Sequence, residues 1–191
     1  MEASMRKKLL YYLIAGILFT AILGTLSHFA YEWSGNNQLV GWITPVNESV
    51  WEHMKLLFFP MVFYGILALP RLKNNFPCIT YGYLWGILGG TLAIPVLYYT
   101  YSGILGTNNT VIDILIFYLC VFLGFAITYI LSPCRPCPCG KDYKFYKKFL
   151  KFSRKLKNPL LPVILVLVLG VCFLLFTKSA PKLGIFLSPN L

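Results

Sequence analysis

The sequence predicts an all-α integral membrane bundle of five transmembrane helices, with the N-terminus inside and the C-terminus outside. Three observations predict it. Hydrophobic residues make up 58% of the 191 and charged residues only 12%, against roughly 45–50% and about 25% in soluble domains. The mean hydropathy is +0.69. The 17 Lys and Arg residues flank long apolar runs instead of interrupting them, as membrane topology requires. Together these exclude an ordinary cytosolic domain and a disordered chain. The chain reads as a single membrane domain over residues 1–191.

The first span is expected over residues 9–31, a run with no Asp, Glu, Lys or Arg. Arg6, Lys7 and Lys8 precede it as they would in a signal peptide. The run is longer than a signal h-region and no small-residue cleavage site follows, so it reads as an uncleaved helix. The second apolar run, residues 56–69, is too short to cross alone. Asn47 is a good N-cap, and Glu48 would then sit in the first turn, where the helix dipole favours an acid. That extends the span to residues 48–69, roughly 33 Å of helix. The third span, residues 79–101, carries Gly82, Gly86 and Gly90 at every fourth position, one face on which another helix can approach closely. Pro95 is expected to kink it. The fourth span covers residues 111–131, with Asp113 near its start. The fifth covers residues 160–177, at the short end of the spanning range.

Orientation follows from the basic residues. With the N-terminus inside, 14 of the 17 Lys and Arg are cytoplasmic, and only Lys55, Lys178 and Lys182 lie outside. Residues 132–159 form a basic cytoplasmic segment. Within it, residues 141–157 alternate basic with apolar or aromatic side chains, the pattern of an amphipathic helix on anionic lipid of the inner leaflet. The net charge of +11 follows this topology, so no nucleic-acid partner is expected. The partners expected are the lipid bilayer and, because five helices make a thin conduit, a homo-oligomer. Residues 183–187 are expected to lie on the membrane surface.

The few ionisable groups are concentrated. Of six acids and two histidines, His28, Glu32, Glu48, Glu52 and His53 fall within residues 28–53, at the outer end of the first two spans. Asp113 lies at the same depth on the fourth. His28 and Glu32 are i,i+4 on one helix, as are Glu48 and Glu52, with Lys55 close to the same face. His53 points roughly 100° from Glu52. Such groups at membrane depth are costly unless they pair, bind an ion or line a wet cavity. His28, Glu32, Glu48, Glu52 and His53 are a candidate ligand set for a divalent transition metal such as zinc, manganese or iron. Glu48 and Glu52 are the candidate catalytic carboxylates, and Trp33, Asn36, Asn47, Lys55 and Asp113 the candidate substrate contacts. Two other readings stay open: a salt-bridged cap in which Glu48 and Glu52 pair with Lys55, and a proton or ion pathway. No established metal motif matches; ExxxEH is not the HExxH zinc pattern. The loop 33–45, WSGNNQLVGWITP, reads either as a re-entrant lid or as an interfacial loop anchored by aromatic residues.

Residues 28–60, HFAYEWSGNNQLVGWITPVNESVWEHMKLLFFP, resemble the signature of a functionally uncharacterised family of small multi-pass membrane proteins of Firmicutes-type bacteria. The most specific part is PVNESVWEH, residues 45–53. The family's similar length extends the resemblance over the whole chain. The resemblance implies a bacterial inner (cell) membrane location and brings no activity with it.

Cysteines form a second group. Cys120 and Cys172 are mid-span and expected in the core. Cys134, Cys137 and Cys139, in CRPCPC, and Cys78 lie at the cytoplasmic face, where thiols stay reduced; they read either as free thiols or as a soft-metal or redox site. The leading functional expectation is an outward-facing His/Glu pocket serving a metal-assisted hydrolase or a ligand-binding protein. A small transporter or channel component is the alternative, and a non-catalytic accessory protein the third. Below His28 and Lys55 the spans hold almost nothing ionisable, which weighs against an ion path.

Overall fold

The computed structural model of the protein describes residues 2–76, 78–132 and 159–188. Among them there is no strand, and five helices are long and apolar enough to cross a membrane. They are α1 (Glu2–Trp33), α3 (Val50–Leu72), α4 (Ile79–Leu105), α5 (Thr110–Leu131) and α6 (Leu160–Lys178). A short helix, α2 (Gln38–Gly41), lies in the loop after α1, and a 3-10 turn, Gly184–Phe186, follows α6.

The apolar pattern explains which faces pack. α3 contributes Leu57, Phe58 and Met61 to the core, where they meet Cys120, Val121 and Phe125 of α5 and Phe173 of α6. α1, α5 and α6 turn their other faces outward, and Ile22, Phe122 and Leu167 are 61%, 60% and 63% exposed. So large an unbroken apolar surface has no place in water, whereas hydrocarbon accommodates it. Membrane spanning follows from this surface as well as from helix length.

The expected glycine face of α4 meets α5. A Cβ on Gly82 would lie 3.0 Å from Ser132 N, and one on Gly90 would lie 2.9 Å from Cys120 O and 3.2 Å from Gly124 Cα. Only a hydrogen fits between these backbones, so the two helices approach as the spacing predicted. α4 continues through Pro95 as one helix.

Three expectations change. The second span begins later than expected: Ser49, not Asn47, is the N-cap of α3, its hydroxyl accepting Glu52 N–H. Asn47 instead takes the Ser49 N–H in a local turn, at 2.9 Å. Glu48 therefore precedes the helix, and Glu52 occupies the first turn. The tail does not only skim the surface: Phe186 folds back onto Trp51, with ring centroids 4.9 Å apart. Cys78, expected as a reduced thiol, is disulfide-bonded. Cys120 and Cys172 are free, the first fully buried and the second half-buried. Cys134, Cys137, Cys139 and the basic stretch 141–157 lie outside the described residues.

One buried ion pair fixes the bundle end at which α3 begins. Lys55 is fully buried. Its ammonium donates to Glu52 at 2.7 Å, to the carbonyls of Gly41 and Thr44 at 3.1 and 3.4 Å, and to Thr177 Oγ1 at 2.5 Å. This ties the α2 loop, the start of α3 and the end of α6 into one cap. It also sets the end of α6 beside the start of α3, so the C-terminal end of α6 shares a bundle end with His28 and His53.

Candidate metal centre

His28 sits near the end of α1 and His53 in the first turns of α3, two antiparallel neighbours. Glu48 hangs from the loop immediately before the Ser49 cap. Because Glu48 is outside the helix, its side chain is free of the α3 phase that turns Glu52 away, and it swings toward the histidines. The ligand-capable atoms of His28, Glu48 and His53 all lie within 4.8 Å of one another.

The detailed distances are tighter. His53 Nε2 is 3.3 Å from His28 Nε2 and 3.3 Å from Glu48 Oε2. His28 Nε2 is 3.7 Å from the same oxygen. Three atoms so spaced share a point about 2 Å from each, and zinc bonds to imidazole and carboxylate are roughly 2.0–2.2 Å. His53 Nδ1 lies 2.9 Å from the Ser49 carbonyl oxygen. A carbonyl only accepts, so Nδ1 carries a proton and Nε2 of the neutral ring presents its lone pair to the other two ligands. That backbone anchor on the far nitrogen is the usual partner of a metal-ligating histidine.

The same atoms also hold a proton. With the His53 ring protonated on both nitrogens, its Nε2–H donates to Glu48, and that hydrogen bond holds the Glu48 carboxyl below the usual carboxylate range, against the opposing effect of partial burial. Glu48 is therefore an anion at neutral pH. One proton bridges only one pair of the three atoms, while a cation engages all three.

The other expected site residues are placed apart. Glu52 is buried against Lys55 and accepts Val46 N–H at 3.0 Å, so neither Glu52 nor Lys55 reaches the histidines. Glu32 is exposed on α1. It shares a face of α1 with His28 but, among the described residues, does not join the cluster of ligand-capable atoms. Trp33 is exposed and stacks on Phe29. Asn36 lies in the exposed turn after α1 with φ of 61°, and Asn47 is used in its local turn. Nothing from the loop 33–45 lines the cavity described next, so the loop caps the Lys55 side of the bundle instead of covering the centre.

The side chains of His28, Glu48 and His53 open onto a cavity of about 540 Å³, inside the roughly 300–1,000 Å³ range of small-molecule sites. Asp113 of α5 lines it, as do Tyr98 and Asn108. The Asp113 carboxylate accepts the hydroxyl of Tyr101, and Tyr101 also accepts Asn109 N–H at 3.1 Å. The sequence reading missed these tyrosines. A signal existed: a lone carboxylate in a span needs a donor, and the YYTY run, residues 98–101, ends the preceding span at the same depth.

No curated protein and no solved structure matches the chain. A family model matches residues 1–133, which include His28, Glu48, His53 and Asp113 and stop before α6. On that match the chain belongs to the DUF6512 family, a family of unknown function.

Proposed function

We propose that this is a multi-pass protein of a bacterial inner membrane, N-terminus in the cytoplasm, with a divalent-metal centre at the outer face that works as a metal-assisted hydrolase. The observation that carries the reading is the near-equilateral spacing of His28 Nε2, His53 Nε2 and Glu48 Oε2, at 3.3, 3.3 and 3.7 Å. Three protein ligands with a fourth position open to a cavity is the arrangement of catalytic zinc, whereas structural zinc is closed by four. The ion would make water acidic near neutral pH and polarise an acyl or phosphoryl oxygen.

The residues supply the rest. His28, His53 and Glu48 fix the position of the reacting water in the cavity mouth. Asp113 shares that cavity, and Tyr101 holds one of its oxygens, leaving the other for the proton that water gives up. Water adds to the electrophilic centre, the bond to the leaving group breaks, and the leaving oxygen takes that proton. Leu56, Ile94 and Ile116, a turn along their helices from His53, Tyr98 and Asp113, give the cavity an apolar lining, which supports a binding pocket over a conducting path.

The test is hydrolysis of p-nitrophenyl acyl esters by the purified protein in detergent. Activity should vanish after chelation and return with zinc. Asp113→Asn should keep the metal and slow turnover by roughly 10²–10⁴-fold, the span of general acid–base catalysis. Activity indifferent to the chelator would refute the reading.

A further inference from the structure

The cavity has two chemically different ends. Its outer end carries the three ligands with Asp113, Tyr98 and Asn108. Three helices then place apolar side chains one turn deeper. Leu56 follows His53 by three residues on α3, Ile116 follows Asp113 by three on α5, and Ile94 precedes Tyr98 by four on the oppositely directed α4. At 1.5 Å per residue each step is roughly 4.5–6 Å into the membrane. Phe117, also lining the cavity, continues this apolar part.

The cavity also reaches the side of the bundle. Phe29 of α1 and Ile114 and Tyr118 of α5 line it, yet they are 45%, 51% and 43% exposed. These residues lie within spans, so their exposed faces meet lipid. Just below these residues α1 and α5 pack directly: a Cβ on Gly24 would lie 2.7 Å from Phe117 Cζ. A hydrogen bond of 3.2 Å between Thr25 Oγ1 and Tyr118 Oη crosses the same seam. A water-soluble substrate gains nothing from an apolar floor or from a window onto hydrocarbon. A chain-bearing molecule gains from both, since each CH₂ moved along this route stays out of water.

We propose that the site takes an amphiphile of the outer leaflet: an acyl lipid that enters sideways between α1 and α5. Its chain lies against Leu56, Ile94, Ile116 and Phe117, and its ester group reaches His28, His53 and Glu48. The assignment names the substrate class of the hydrolase proposed above and rests on that reading for its chemistry, though the chain pocket stands on geometry of its own.

The experiment uses full-length zinc-treated protein in phosphatidylcholine vesicles containing a lysophospholipid with a photoreactive diazirine on its acyl chain. Zinc content is measured on the same samples. After irradiation, label should concentrate on the cavity faces of α3, α4 and α5. Ile116→Trp should lower that labelling by about tenfold by overfilling the space, with zinc content unchanged. Leu56→Phe, a milder change, should lower it in the same direction, and Leu123→Trp on the lipid-facing surface should leave it unaltered. Label spread evenly over all the helices, or unchanged in both cavity variants while zinc is bound, would overturn the amphiphile site. Zinc missing from the unaltered protein, with cavity label intact, would instead overturn the metal centre and with it the ester chemistry, leaving the chain pocket.

Discussion

Glu48 and Glu52 stand four residues apart and face opposite tasks. Glu52 is inside the first turn of α3 and neutralises the buried Lys55 ammonium at 2.7 Å; Glu48 is outside the helix, 59% exposed at its side chain, and sits against both histidines. Glu52→Gln should leave an uncompensated buried charge and cost roughly 3–5 kcal/mol, read as a lower melting temperature in detergent, while the metal content stays the same. The sequence told the two glutamates apart poorly. It marked residues 28–53 as the window where charge gathers, and the i,i+4 rule then grouped Glu48 with Glu52. That rule holds only within one helix. The Ser49-Val50-Trp51-Glu52 stretch has the spacing of a capping box, and it competes with Asn47 as the helix start. Taking Ser49 as the cap puts Glu48 outside and His53 Nδ1 on the Ser49 carbonyl. Periodicity alone cannot choose between two good caps two residues apart.

The elements were far more legible. Spans are set by long-range hydropathy, which tolerates an error of a few residues, and each expected run lies inside an observed helix apart from the start of the second, where Asn47 was preferred to Ser49. The Gly82, Gly86 and Gly90 face was also readable, because only a close helix neighbour requires it. Which helix that neighbour is could not be read, since α1, α5 and α6 are apolar all round and give no facing stripe. The tertiary structure selects α5. Gly90→Leu should push α4 and α5 apart, because its Cβ meets backbone atoms of Cys120 and Gly124 that cannot rotate away. A loss of about 1–3 kcal/mol is expected, measured by thermal unfolding. Gly103→Ala on the same helix meets open space and should change stability by less than about 0.5 kcal/mol.

At the scale of the whole molecule, the Lys55–Thr177 bond places the end of α6 at the bundle end that holds His28, Glu48 and His53, and the proposed orientation puts that end outside. A cysteine introduced as Lys182→Cys should react with a membrane-impermeant maleimide in intact cells, and Lys8→Cys only after permeabilisation. Cys78 is disulfide-bonded, so a permeant reagent should alkylate it only after reduction. External labelling of Lys8→Cys without labelling of Lys182→Cys would reverse the topology and put the His/Glu cluster on the cytoplasmic side.

The measurement that bears most directly on the account is the metal content of the protein purified without chelator and then equilibrated with zinc. The account predicts about one zinc per chain, as one three-ligand centre requires. His28→Ala, His53→Ala and Glu48→Ala should each lose it, while Glu32→Ala and Glu52→Gln retain it. No bound metal in the unaltered protein, or zinc that survives Glu48→Ala and His53→Ala alike, would contradict it.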